Sequence, residues 1–218
     1  MTTPRAGTGT TTKMADRTEV RLAGEGGQGM ILAGIILAEA AIHDGRNAVQ
    51  TQSYGPEARG GASKAEVVIS SGEIDHPEVL EADVVITLSQ AAFQKFSGSF
   101  GPDGRLIAAD KEESEKASGS IKPGGWLIVD EEKVDSSAAP KNVRLIRLPI
   151  TKMAVETTGK GITANTVALG VLVGLTDVVS REAIEKAVTA RAPKGTEDMN
   201  RKALQAGFDA AERVKAKK

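Results

Sequence analysis

The chain has 218 residues, and its 28 Lys plus Arg stand against 29 Asp plus Glu, a formal net charge of −1. That balance excludes a nucleic-acid binder held mainly by phosphate contacts, and six aromatics (four Phe, one Trp, one Tyr) are too few for a base-stacking platform. Cysteine is absent and His43 and His76 are the only histidines, which excludes disulfides, a thiolate nucleophile, a multi-histidine metal centre and any iron–sulfur cluster held by this chain alone.

Residues 1–18, rich in Thr and Gly, read as a disordered tail without the apolar core of a signal peptide, with Met14 as an alternative start. A single domain is expected from Glu19 to Lys218. Glu19-Val20-Arg21-Leu22-Ala23 alternates as a strand does and runs into Gly24-Glu25-Gly26-Gly27-Gln28-Gly29. An apolar helix follows from about Gln28 to His43, closed by Asp44-Gly45. Apolar all round, it belongs against a sheet rather than on the surface. Asn47 to Gln52 reads as a second strand, which completes a βαβ unit with an expected right-handed crossover.

The loop Ser53-Tyr54-Gly55-Pro56-Glu57-Ala58-Arg59-Gly60-Gly61 comes next. Strands are then expected at Lys64–Ile69, Ala82–Leu88, Leu127–Val129 and Arg144–Leu148, with a helix at Gln90–Phe96. The last third is helical: Ala164–Leu175, Ser180–Ala190 with Ser180 as N-cap, and Thr196 to about Lys215. Strands alternating with helices imply an α/β, Rossmann-like, mainly parallel sheet with helices on both faces. No apolar stretch approaches the roughly 20 residues of a membrane span, so a cytoplasmic protein is expected. One segment repeats: Ser97-Gly98-Ser99-Phe100-Gly101-Pro102 is echoed 21 residues later by Ser118-Gly119-Ser120-Ile121-Lys122-Pro123. Each copy reads as a helix end, a Pro-Gly-type turn and a strand, either from local duplication or as two similar turns by coincidence.

Two segments are candidates for chemistry. The glycine loop has the G-x-G-x-x-G spacing that lets backbone N–H groups and a helix N-terminus meet a phosphate. It serves equally to make a tight turn and close helix–strand packing, a contact Gly34 would continue. A dinucleotide site also needs an acidic residue at the end of the second strand, and Val49-Gln50-Thr51-Gln52 offers none; Glu25 would repel a pyrophosphate. In the second segment, Tyr54 is the only tyrosine, and Arg59 precedes a glycine pair. Arg59 is placed for a subunit interface, for bidentate binding of a carboxylate or phosphate, or for a local structural role. His43 is expected to offset a helix dipole, His76 to sit in a turn and Asn165 to cap a helix. No carboxylate pair is spaced for general acid/base work.

The glycine loop together with Ser53–Gly61, Lys122-Pro123-Gly124-Gly125, Ala164-Asn165-Thr166-Val167-Ala168-Leu169-Gly170 and Asn200–Gly207 resembles the gamma subunit, or gamma domain, of 2-oxoacid:ferredoxin oxidoreductases over about Glu19 to Phe208. The resemblance implies a non-catalytic subunit of an enzyme that oxidatively decarboxylates a 2-oxo acid (2-oxoglutarate first), passes the acyl group to coenzyme A and reduces ferredoxin. It implies alpha, beta and delta partner subunits, with thiamine diphosphate and iron–sulfur clusters on those partners and none on this chain. Gly26, Gly27, Gln28, Tyr54 and Arg59 carry over as coenzyme A or subunit-interface positions, and no residue as catalytic. No contact with nucleic acid or membrane is expected, and a homodimer of the isolated chain is compatible with this reading. The sequence departs from the family pattern by passing through two Pro-Gly turns over 97–118 instead of one. The rival readings are a free-standing Rossmann-like nucleotide-dependent oxidoreductase and a module that binds coenzyme A or another phosphate ligand.

Overall fold

β1 (Arg17–Glu25) carries the expected alternation, with Val20 and Leu22 on one face of the sheet and Arg21 and Ala23 on the other. It begins two residues earlier than the sequence pattern implies, because Arg17 and Thr18 pair with Ser70 and Ile69. The computed structural model describes residues 17–54, 61–96 and 120–217. After β1 come α1 (Met30–His43), β2 (Asn47–Tyr54), β3 (Ala62–Ser70), β4 (Glu81–Thr87), α2 (Gln90–Phe96), β5 (Ser120–Asp130) and β6 (Arg144–Leu148). α3 (Ile150–Thr158), a 3-10 turn at Gly161–Thr163, α4 (Ala164–Thr176), α5 (Arg181–Arg191) and α6 (Glu197–Ala216) complete the described chain.

The strands form one sheet in the order β2-β3-β1-β4-β5-β6. β1, β4, β5 and β6 are parallel, and β2 shares their direction because β3 runs antiparallel to both β1 and β2. The sheet is therefore mainly parallel, with β3 inserted into the middle of the first βαβ unit. Chain length explains the insertion. Seven residues, 55–61, separate β2 from β3, and a parallel crossover needs a dozen or more.

One face of the sheet packs on α1, α3, α4, α5 and α6 through a core that includes Leu22, Leu37, Val67, Ile86, Ile128, Leu172 and Phe208. α2 covers part of the opposite face, with Phe93 beside Val68, Val85 and Leu127. α1 is buried along most of its length, as its composition requires, and Gly34 permits its closest approach to the sheet. A Cβ at Gly34 would stand 2.6 Å from that of Ala65. α4 and α6 cross at two glycines. A Cβ on Gly170 would meet the Leu204 carbonyl at 2.2 Å, and one on Gly207 would meet the Val167 carbonyl at 2.2 Å. These glycines explain physically why the Ala164–Gly170 and Asn200–Gly207 segments look as they do.

Two local expectations need correction. Lys122-Pro123-Gly124-Gly125 is a bulge within β5 rather than a turn before it: Ala82 pairs with Ile121 and Val84 with Trp126, so four residues stand opposite Asp83. Gly124 takes a φ of +77° there, and Lys122 Nζ reaches both Asp83 carboxylate oxygens at 2.9 Å. The first copy of the 97–128 repeat lies outside the described residues, as do residues 1–16 of the expected tail. The second correction is α3, which the helix signals did not reveal. Pro149 occupies its N-cap without a side-chain cap, and the first turn is held by Asp130, whose Oδ2 accepts from the Thr151 N–H at 2.9 Å and from the Thr151 hydroxyl.

Candidate functional site

The carboxyl ends of β1 and β4 lie side by side, and the chain leaves them in opposite directions: from β1 through α1 to β2, from β4 through α2 toward β5. This is the topological switch point of a doubly wound sheet, the usual seat of a ligand. The glycine loop occupies it. Gly24 and Glu25 end β1, Gly26 and Gly27 are exposed, and Gly29 is the left-handed N-cap of α1 with φ +72°. Gly27 has φ +93°, a conformation that a side chain would strain.

Gln28 organises the loop from within. Its Oε1 accepts from the Glu25 N–H at 2.7 Å, and its Nε2 donates to the Leu88 carbonyl at 3.1 Å, so one side chain joins the ends of β1 and β4. Gly24 makes room for it, since a Cβ there would lie 2.5 Å from Gln28 Oε1. The Gln28 N–H closes the turn onto the Glu25 carbonyl at 3.1 Å, and the Gly26 N–H donates to the Gly61 carbonyl at 3.2 Å. The last bond sets the glycine loop beside the end of the Tyr54–Gly61 segment. Tyr54 closes β2 opposite Ser63; its side chain, and Arg59 with the rest of 55–60, lie outside the described residues.

Two asparagines missed as site residues complete the surroundings. Asn165 is not the cap of α4 but sits in its first turn, 6% exposed; its Nδ2 donates to the Gly29 carbonyl at 3.2 Å. A Cβ on Gly29 would stand 2.6 Å from that Nδ2. Thr166 beside it donates from its hydroxyl to Asn200 Oδ1 at 3.1 Å, which links the first turns of α4 and α6. The available signal was burial: a polar residue opening a wholly buried helix must find partners, and the nearest was the glycine loop.

On the α2 face, β1 and β3 carry a charged ladder. Arg21, with no exposed surface, donates to Glu66 Oε1 at 2.8 Å and to the Val79 carbonyl at 3.2 Å, and Lys64 reaches Glu66 Oε2 at 3.0 Å. Arg17 pairs with Glu19 at 2.8 Å. Among the described residues no group of three or more His, Asp or Glu is placed to hold a metal ion. None of their helices is long and apolar enough to cross a membrane.

The sequence profile of the pyruvate ferredoxin/flavodoxin oxidoreductase family matches residues 19–210. The chain belongs to that family. A 2-oxoglutarate synthase subunit KorC from Methanocaldococcus jannaschii is 44% identical over 200 residues, which cover 91% of this chain and 96% of that one. The gamma subunit of a keto/oxoacid ferredoxin oxidoreductase from Geobacter sulfurreducens shares the fold with a TM-score of 0.70 and 44% identity, over 90% of this chain and 99% of that one. The ketoisovalerate oxidoreductase subunit VorA of Methanothermobacter marburgensis is 33% identical over 87% of this chain but only 36% of its own, so there the same unit is part of a longer polypeptide. The family's gamma-subunit architecture is the one expected from the sequence, and the free-standing nucleotide-dependent oxidoreductase is set aside.

Proposed function

We propose that this chain is the gamma subunit of a 2-oxoglutarate:ferredoxin oxidoreductase, working with alpha, beta and delta subunits in the cytoplasm. The carrying observation is its 44% identity along nearly the whole length of a 2-oxoglutarate synthase subunit. In the assembled enzyme a 2-oxo acid and coenzyme A become acyl-coenzyme A and CO2, and two electrons pass one at a time to two ferredoxins. Thiamine diphosphate supplies the carbanion chemistry of decarboxylation, and iron–sulfur clusters carry the electrons, both held by partner chains. A chain without cysteine has no thiolate for such a cluster, which supports that division of labour.

The unit from Glu19 onward then contributes shape and contact surface. The exposed Gly26 and Gly27, the underlying Gln28, and Tyr54 and Arg59 are the positions at which coenzyme A or a neighbouring subunit is met. The bond between Gly26 and Gly61 supports treating the two segments as one surface. The isolated chain, which is free to form a homodimer, is inactive; co-expression with its partners restores viologen reduction, with higher kcat/KM for 2-oxoglutarate than for pyruvate or 2-oxoisovalerate. Viologen reduction by the isolated chain would end the reading, and preference for another acid would end the substrate assignment. Arg59→Ala in the assembled enzyme raises the KM for coenzyme A several-fold if Arg59 meets the cofactor. An unchanged KM with weakened subunit association assigns it to the interface.

A further inference from the structure

We propose that Gln28 is a built-in occupant of the switch-point crevice, a specificity residue whose side-chain amide stands where a nucleotide would and keeps ADP- and NAD-like ligands out of this Rossmann-like fold. The inference concerns the chain itself and goes beyond its role in the complex.

In sheets of this topology the ligand lies in the crevice outside the carboxyl ends of the strands, with its phosphates over the glycine loop and the helix N-terminus. Here the same crevice is spanned by Gln28, which takes a donor from the end of β1 (the Glu25 N–H, 2.7 Å) and an acceptor from the end of β4 (the Leu88 carbonyl, 3.1 Å). The space gained by having no Cβ at Gly24 is filled by Gln28 Oε1 and by Met30 Cγ, 2.5 and 2.9 Å from where that Cβ would be. In a nucleotide-binding loop the glycine serves the ligand's approach; here it serves the glutamine's.

The amides that would cradle a phosphate are also engaged. The Gly26 N–H bonds to the Gly61 carbonyl and the Gln28 N–H to the Glu25 carbonyl. Asn165 fills the space beside Gly29, at the point where the helix would present its N-terminus. Glu25 adds an exposed carboxylate at the rim, and β2 ends in Gln52 and Ser53, with no acid to hold a ribose. A nucleotide would have to break both Gln28 bonds and leave a backbone donor and a backbone acceptor to be satisfied again.

The test uses the full chain and calorimetric titration with ADP and with NAD, comparing wild type, Gln28→Ala and Gln28→Met, all also made with Glu25→Gln so that the rim carboxylate does not mask the effect. Neither probe binds wild type with a Kd below 1 mM on this proposal, and ADP binds Gln28→Ala at least tenfold tighter than wild type (order of magnitude from two displaced hydrogen bonds). Gln28→Met, which keeps the bulk, stays like wild type toward ADP. In both variants the Glu25 amide exchanges with deuterium at least tenfold faster, since its acceptor is gone. Wild-type binding of either nucleotide below 1 mM overturns the proposal, as does a folded Gln28→Ala chain that binds ADP no better than wild type. Should Gln28→Ala not fold, the Glu25 amide in Gln28→Met decides: unchanged exchange overturns the proposal, and accelerated exchange upholds it.

Discussion

Arg21 lies at the middle of β1 without any exposed surface, and its charge is compensated by Glu66 across the sheet. Glu66 is shared with Lys64, so two cations lean on one carboxylate, and Arg21 Nη1 has no hydrogen-bond partner. Such a group is held in place by its partner rather than by solvent, and removing the partner strands a buried charge. Glu66→Ala is therefore expected to lower stability by about 3–5 kcal/mol, read as the shift in urea midpoint at unchanged m-value. A loss below about 1 kcal/mol, the range of exposed pairs, would show that solvent reaches Arg21 in solution. Gln28 acts by the same logic in neutral form. Each end of its amide satisfies a backbone group that the end of a strand leaves open, and its neighbours are glycines because those bonds need the space.

At the scale of elements, helix ends are settled in two different ways. α5 is capped locally, with the Ser180 hydroxyl accepting from the Ala183 N–H at 3.1 Å, and Asp44 at the end of α1 then binds Ser180 from outside. α3 has no local cap, and Asp130 supplies one from the end of β5, 21 residues earlier in the chain. Asp130→Ala leaves the Thr151 N–H without that acceptor, and a cost of about 1–2 kcal/mol is expected, in line with loss of a strong N-cap. The loss should be local. Amide exchange is expected to quicken over Ile150–Thr158 more than over α4, and uniform acceleration across both helices would show that α3 does not open independently.

For the whole molecule, the two sheet edges differ. β6 is five residues long and carries Arg144 and Arg147, charges that discourage pairing with another strand. β2 is eight residues long, has a strand neighbour on one side among the described residues, and contains no charged residue or proline. An isolated chain with such an edge is expected to self-associate there. Gln52→Lys, at an exposed position on β2, should lower light scattering at high concentration without changing the melting temperature. Equal scattering by both chains would place the association elsewhere.

Local patterns in the sequence specified much of this molecule. The alternation of β1, the apolar α1, the Ser180 cap and the glycine-to-helix junction are short-range features, and their physics acts between residues a few positions apart. The seven-residue link between β2 and β3 also dictated an antiparallel return, although the strand alternation alone concealed it. Only the tertiary structure decided what the glycine loop is for, because that depends on which distant groups meet it. Leu88 reaches Gln28, Gly61 reaches Gly26 and Asn165 reaches Gly29 across 60, 35 and 136 positions of the chain. The α3 cap at Asp130 and the Glu66 counter-charge to Arg21 are decided in the same way. A buried polar group must find a partner wherever folding brings one, and no local pattern names a partner that arrives from another element.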